Sequence, residues 1–279
     1  MFIQRNSAIV LSVLAAVVAT GLNGCDGNDD DCVCCGPDAA APAAPRGLYS
    51  ITGDDQVTLA WLANAEPDLG AYGIWWSTAY EGEYRLLATV EPSGEYYEEY
   101  VDRAARNGET YFYAVTALDA TGNESDLSRE YVWDTPRPEG TAYLTSIHAA
   151  PETAGFDFDD GHTYGRVVPA DALDADFYYE YVPGTGEFFL VTAHPEYVLV
   201  QDMGHAGDFD EIGFSPGAGE GWSPTGVVEA IQGHVYVLRI LDDPQGFYAK
   251  VWLTGVHSMQ VALQWAYQTQ PGNQQLSVP

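Results

Sequence analysis

Few residues in this chain have the types and spacing that chemistry demands. Cys32, Cys34 and Cys35 form a C-x-C-C run whose thiolates would suit a soft metal ion. No histidine or further cysteine pair lies close enough to complete a zinc-ribbon pattern, so the competing reading is a solvated linker whose thiols oxidise or pair between neighbouring chains. Asp157, Asp159 and Asp160 precede Gly161 and offer carboxylates to calcium, but an EF-hand loop needs more oxygen donors at alternate positions. Phe156 and Phe158 alternate with Asp157 and Asp159, as in a half-buried strand entering a turn. Glu98-Glu99 imitates a glycosidase pair, yet with 41 Asp and Glu such pairs arise by chance. The Gly-x-Ser-x-Gly string at Gly213-Phe-Ser-Pro-Gly217 lies in an aperiodic Gly- and Pro-rich stretch and not at a strand-to-helix elbow, and there is no His-Glu-x-x-His helix. The expectation is a protein that is not an enzyme.

Cys25 has the clearest chemistry. Arg5 is the only charge before an apolar run from Ala8 to Leu22, and Leu22-Asn23-Gly24-Cys25 then places small residues before a cysteine. This is signal-peptide layout. The run falls short of the roughly 20 residues a permanent membrane helix needs. Leu-x-Gly-Cys resembles the bacterial lipobox, which implies removal of residues 1–24 and acylation of Cys25. Each buried methylene adds roughly 0.8 kcal/mol, so two or three acyl chains hold firmly. The expected location is the bacterial cell envelope, with the protein lipid-anchored to a membrane and facing the periplasm or the exterior.

The net charge is −31, and Lys250 is the only lysine. Partners rich in phosphate are recognised through Lys and Arg, so nucleic acid is excluded. The expected partners are the membrane, through the lipid anchor, and an unknown protein, haem or glycan ligand. A hydrophobic content of 46% is enough for two cores.

The elements that must position any site are strands. Residues 25–42 are an acidic, Ala/Pro-rich tether, and Pro136 and Pro138 punctuate a second boundary. Between them Val57, Leu59 and Trp61 alternate, as do Tyr72, Ile74 and Trp76, and Tyr111, Tyr113 and Val115. Gly53-Asp-x-x-Val-Thr-Leu-x-Trp61, Asp68-Leu-x-x-Tyr72, Asn107-Gly-x-Thr-Tyr111 and Val115-Thr-Ala-x-Asp-x-x-Gly-Asn-Glu-Ser125 together resemble a fibronectin type III domain over residues 43–136. The resemblance implies a sandwich with Tyr111 as a tyrosine corner. Trp61, Tyr72, Tyr111 and Tyr113 are read as structural core.

Residues 141–279 also read as β. Phe177–Val182, Phe188–Thr192, His234–Ile240, Phe247–Leu253 and Met259–Tyr267 are rich in aromatic and β-branched residues. Gly204–Thr225 lacks periodicity and is expected to be surface loop. The fold class is therefore all-β, a fibronectin type III β-sandwich followed by a second antiparallel β-rich domain. Ala154-Gly-Phe-Asp-Phe-Asp-Asp-Gly161, Asp176-Phe-Tyr-Tyr179, Tyr236-Val-Leu-Arg239 and Trp265-Ala-Tyr-Gln268 resemble the HmuY-like haem-binding lipoproteins. That likeness implies two side chains gripping haem iron. His194 and His205, with Met203, bracket a loop-flanked strand and are the candidate pair. No cofactor is required by the sequence; haem and loosely bound calcium are the two it leaves open. The leading expectation is a lipid-anchored, non-enzymatic binding or scaffold protein with the C-terminal domain as its recognition surface. Its rivals are a haem or porphyrin binder and a carbohydrate-binding accessory protein.

Overall fold

A computed structural model describes residues 40–217, 219 and 221–277. The leader, Cys25 and the three tether cysteines lie outside them. No helix among the described residues is long and apolar enough to cross a membrane.

Seven strands build the first sandwich: β1 (Arg46–Gly53), β2 (Gln56–Leu62), β3 (Leu69–Ser77), β4 (Arg85–Val90), β5 (Tyr97–Asp102), β6 (Tyr111–Asp119) and β7 (Val132–Asp134). Sheet β1-β2-β5 packs on sheet β4-β3-β6-β7, three strands facing four, which is the fibronectin type III arrangement. Period-two patterning drives it, since inward residues of both sheets meet in one core around Trp61. The β1–β2 turn is tight enough to force Asp55 to a φ of 48°. Asn107 steadies that turn, its side-chain oxygen accepting from the Asp55 N–H at 2.9 Å. Beside it the Tyr111 hydroxyl accepts from the Arg106 N–H at 3.2 Å and donates to Glu109 at 2.7 Å.

The second sandwich comprises β8 (Glu139–Thr145), β9 (Gly155–Asp159), β10 (Tyr164–Val168), β11 (Phe177–Val182), β12 (Glu187–Thr192), β13 (Val198–His205), β14 (Val227–Glu229), β15 (His234–Ile240), β16 (Phe247–His257) and β17 (Gln260–Gln268). Its two sheets run β10-β9-β11-β12-β14 and β13-β15-β16-β17-β8, and every pairing is antiparallel. Phe156, Phe158 and Phe177 from one sheet interleave with Trp265 and Tyr267 from the other. Glycine makes the Trp265 site possible: a Cβ on Gly165, at φ 68°, would lie 1.9 Å from the indole.

The described residues between β13 and β14 form no strand, as expected for Gly204–Thr225, but they are not all at the surface. Met203, Ile212 and Trp222 pack against Val237, Tyr248 and Leu276, forming a small second core on the outer side of the β13-β15-β16 sheet. The closing segment helps to hold it, with the N–H of Leu276 bonded to the Gly213 carbonyl at 2.7 Å. Isolated apolar anchors, spaced without period, carry this packing, and a periodicity argument does not register them.

Candidate functional site

Inward residues of β3, β6 and β7 fill the core, so the alternate set must face outward. On a half-solvated antiparallel sheet that outward set is ordinarily polar. Here it includes three large aromatic rings. Phe112 sits directly opposite Trp133 across β6–β7, while Trp75 lies opposite Ala114 on β6 and Leu86 on β4. Tyr80, from the β3–β4 connection, and Tyr131, just before β7, close over Phe112. The Tyr80 and Tyr131 ring centroids are 4.3 Å apart, edge to face, and Phe112 lies 5.9 Å from Tyr131. Tyr131 remains 56% exposed and Leu86 53%.

The rings are held in place. The Trp75 indole N–H donates to the Thr116 hydroxyl at 3.0 Å, and that hydroxyl donates to Glu124 at 2.8 Å. Burial pushes the Tyr84 hydroxyl up to about 12, with Tyr80 and Tyr131 adding to the shift. It therefore stays a neutral donor throughout the physiological range. The surface thus offers fixed π-faces edged by phenol hydroxyls.

The sequence candidates are placed elsewhere. Trp61, Tyr72, Tyr111 and Tyr113 are buried between the two sheets of the first sandwich, with Trp61 and Tyr72 edge to face at 5.3 Å. His194 and His205 flank opposite ends of β13, separated by roughly 23 Å of strand. Met203 is turned into the small outer core. The structure therefore does not bring these three side chains to one iron. His205 lies instead 6.4 Å from the His234 ring, and His234 Nδ1 is 3.0 Å from Asp202. Asp157 and Asp160 are engaged by Arg166, at 2.6 Å and 3.2 Å. No group of three or more His, Cys, Asp or Glu that could hold a metal ion occurs among the described residues.

Two cations that sequence reasoning passed over lie buried where the sandwiches meet. Lys250 on β16 and Arg137, between β7 and β8, are both 0% exposed. Lys250 Nζ donates to the Phe209 carbonyl at 2.6 Å and to the Ser277 hydroxyl, and stands 4.0 Å over the Phe209 ring. Asp210 binds both cations, at 3.4 Å from Lys250 and 3.6 Å from Arg137, and accepts from Ser277 at 2.7 Å. Burial, reinforced by the Arg137 charge, brings Lys250 down to about 7. Asp134 nearby is pushed up to about 6 by its own burial. In sequence, the only signal was a single lysine at an interior strand position of a chain that otherwise avoids lysine.

No family model matches the chain. It is 30% identical over 144 residues to an amylopullulanase of Thermoanaerobacterium thermosulfurigenes, an alignment covering 50% of this chain and 7% of that protein. It is 36% identical over 95 residues to an amylopullulanase of Thermoanaerobacter thermohydrosulfuricus, there covering 34% of this chain and 6% of that one. The chain thus spans less than a tenth of the length of the curated relatives it matches. Among solved structures, an Fn3-like protein from Clostridium thermocellum is 30% identical, covered in full by 36% of this chain, with a TM-score of 0.29. A DUF4466 family protein from Parabacteroides merdae is 8% identical over 83% of this chain and 95% of its own, at a TM-score of 0.43.

Proposed function

We propose that this is a lipid-tethered, non-catalytic accessory protein of the bacterial cell envelope that holds neutral polysaccharide against the outer face of the β4-β3-β6-β7 sheet. The observation that carries the reading is the fixed aromatic surface of Trp75, Tyr80, Phe112, Tyr131 and Trp133. A sugar ring presents polarised C–H groups on one face and hydroxyls around its edge. Aromatic π-faces carry negative potential and phenol edges carry hydrogen-bonding groups, so the two surfaces are complementary. Rigid rings also lose little side-chain entropy on binding. Net charge favours the same ligand class, because at −31 the chain repels anionic polymers. The relatives add support through their name, amylopullulanase, which makes pullulan and amylose-type glucans the first polymers to try. Anchoring rests on the sequence around Cys25, and the tether that follows would hold the sandwiches clear of the membrane.

Native electrophoresis through gels cast with pullulan, starch or an unrelated β-glucan tests the reading. Retarded migration on at least one polymer is expected, with retardation lost in Tyr80→Ala/Tyr131→Ala. Unchanged mobility on every polymer, or retardation indifferent to those substitutions, would overturn it.

A further inference from the structure

A second concavity lies on the opposite side of the first sandwich, where it meets the second. It is a cleft of about 700 Å³. Clefts between domains and of roughly 300–1,000 Å³ are where ligands are usually bound. Its walls come from three places. Tyr49 and Ile51 are outward residues of β1; Trp252 and Gln264 are direct partners across β16–β17; the remainder is the loop carrying Asp208, Phe209, Asp210 and Glu211.

The buried charges beneath explain why this cleft persists. Asp210 lines it and is also bound to Lys250, Arg137 and Ser277, so one carboxylate fastens the loop wall to the second sandwich and to the connector between the two. A second tie joins the sandwiches directly, Gln275 donating to Asp134 at 3.3 Å while Thr52 donates to the same oxygen at 2.8 Å. The Trp252 indole is fixed by donation to the Gly233 carbonyl at 3.1 Å. A site already in its bound shape loses little freedom on binding.

Its chemistry is selective. Lys250 and Arg137 are sequestered, so among the described residues no cation lines the cleft, and anions find only like charge there. Asp208 and Glu211 each spend one oxygen on their own loop, Asp208 accepting from the N–H groups of Asp210 and Glu211, and Glu211 from that of Gly207. Among the described residues nothing donates to their other oxygens, which suit hydroxyl donors. Gln264 supplies both a donor and an acceptor. Tyr49 and Trp252 add ring surface for a sugar's C–H face.

From this arrangement we infer that the junction cleft is a second binding site, separate from the aromatic face, for a short segment of neutral oligosaccharide. The ligand class rests on the function proposed above; the site does not. The protein would then grip glycan on two opposite sides and cross-bridge chains or gain avidity along one.

Calorimetric titration of the full chain with maltoheptaose tests this, using two substituted backgrounds. With the aromatic face removed by Tyr80→Ala/Tyr131→Ala, saturable binding is expected to persist. Adding Trp252→Ala should weaken it at least tenfold, and Glu211→Gln, a change at an exposed side chain that leaves packing alone, should weaken it severalfold. The inference is overturned if maltoheptaose fails to bind that background, if binding ignores both cleft substitutions, or if tetramethylammonium competes for the cleft while the sugar does not. Gel retardation that survives Trp252→Ala alongside a silent cleft would leave the proposed function standing. Cleft binding with a face that retains no polymer would do the reverse.

Discussion

Lys250→Met replaces a buried ammonium by an apolar side chain of similar length, and its consequence is best read against pH. In the folded protein Lys250 is held near 7 by burial and by Arg137, against an ordinary value of 10.5. Between those values the unfolded chain carries a proton on this group that the folded chain does not. Stability therefore rises with pH across that window, by up to about 1.4 kcal/mol per pH unit for one proton. From pH 7.5 to 9.5 the gain is roughly 2–3 kcal/mol. The opposite sign belongs to Asp134 and Asp176, which burial raises to about 6 and about 8. The folded state holds their protons longer, so their contribution falls as pH climbs from about 4 towards those values. Both carboxyl groups are present in wild type and variant, and subtracting one profile from the other cancels them. Urea titrations of the two proteins at pH 7.5, 8.5 and 9.5 should show wild type gaining about 2–3 kcal/mol on Lys250→Met. A difference that stays flat with pH would refute the reasoning, since it would mean that the lysine keeps its charge when buried.

Four further outcomes are expected. Trp61→Ala, which removes the largest buried side chain of the first sandwich, should lower unfolding free energy by about 3–5 kcal/mol in denaturant titrations. Gly165→Ala should destabilise by more than ~2 kcal/mol and alter the near-ultraviolet dichroism of Trp265, because left-handed strain adds to a collision with the indole; Gly122→Ala, at φ 90° with nothing within 4 Å, should lose only the strain, about 1–2 kcal/mol. Cys25→Ser should release the protein from the membrane fraction of the producing cell, and continued detergent dependence would argue against acylation at that thiol.

The sandwich architecture was legible because alternation at Val57-Leu59-Trp61 and Tyr111-Tyr113-Val115 is a direct consequence of one buried face. The same strands held a second message that attention to the buried face left unread. Trp75, Phe112 and Trp133 stand at outward positions where a solvated sheet ordinarily places polar residues. The histidines were less informative: His194 and His205 are close in sequence, but an intervening extended strand carries them apart. The packing of Phe209 and the burial of Lys250 depend on contacts between segments some 40 residues apart, as in the bond from Lys250 to the Phe209 carbonyl. Sequence spacing holds no trace of such contacts, nor of how the two sandwiches enclose a cleft.

The four residues connecting the sandwiches, Thr135 to Pro138, are buried, and Arg137 donates its backbone N–H to the Gly53 carbonyl at 3.2 Å. A peptide so enclosed cannot enter a protease's active site without prior opening, so limited digestion should leave the pair uncut at this joint. Heating should likewise melt the two halves in one calorimetric transition. The two sandwiches would then transmit a pulling force from one to the other as a single stiff rod rather than as two beads on a string.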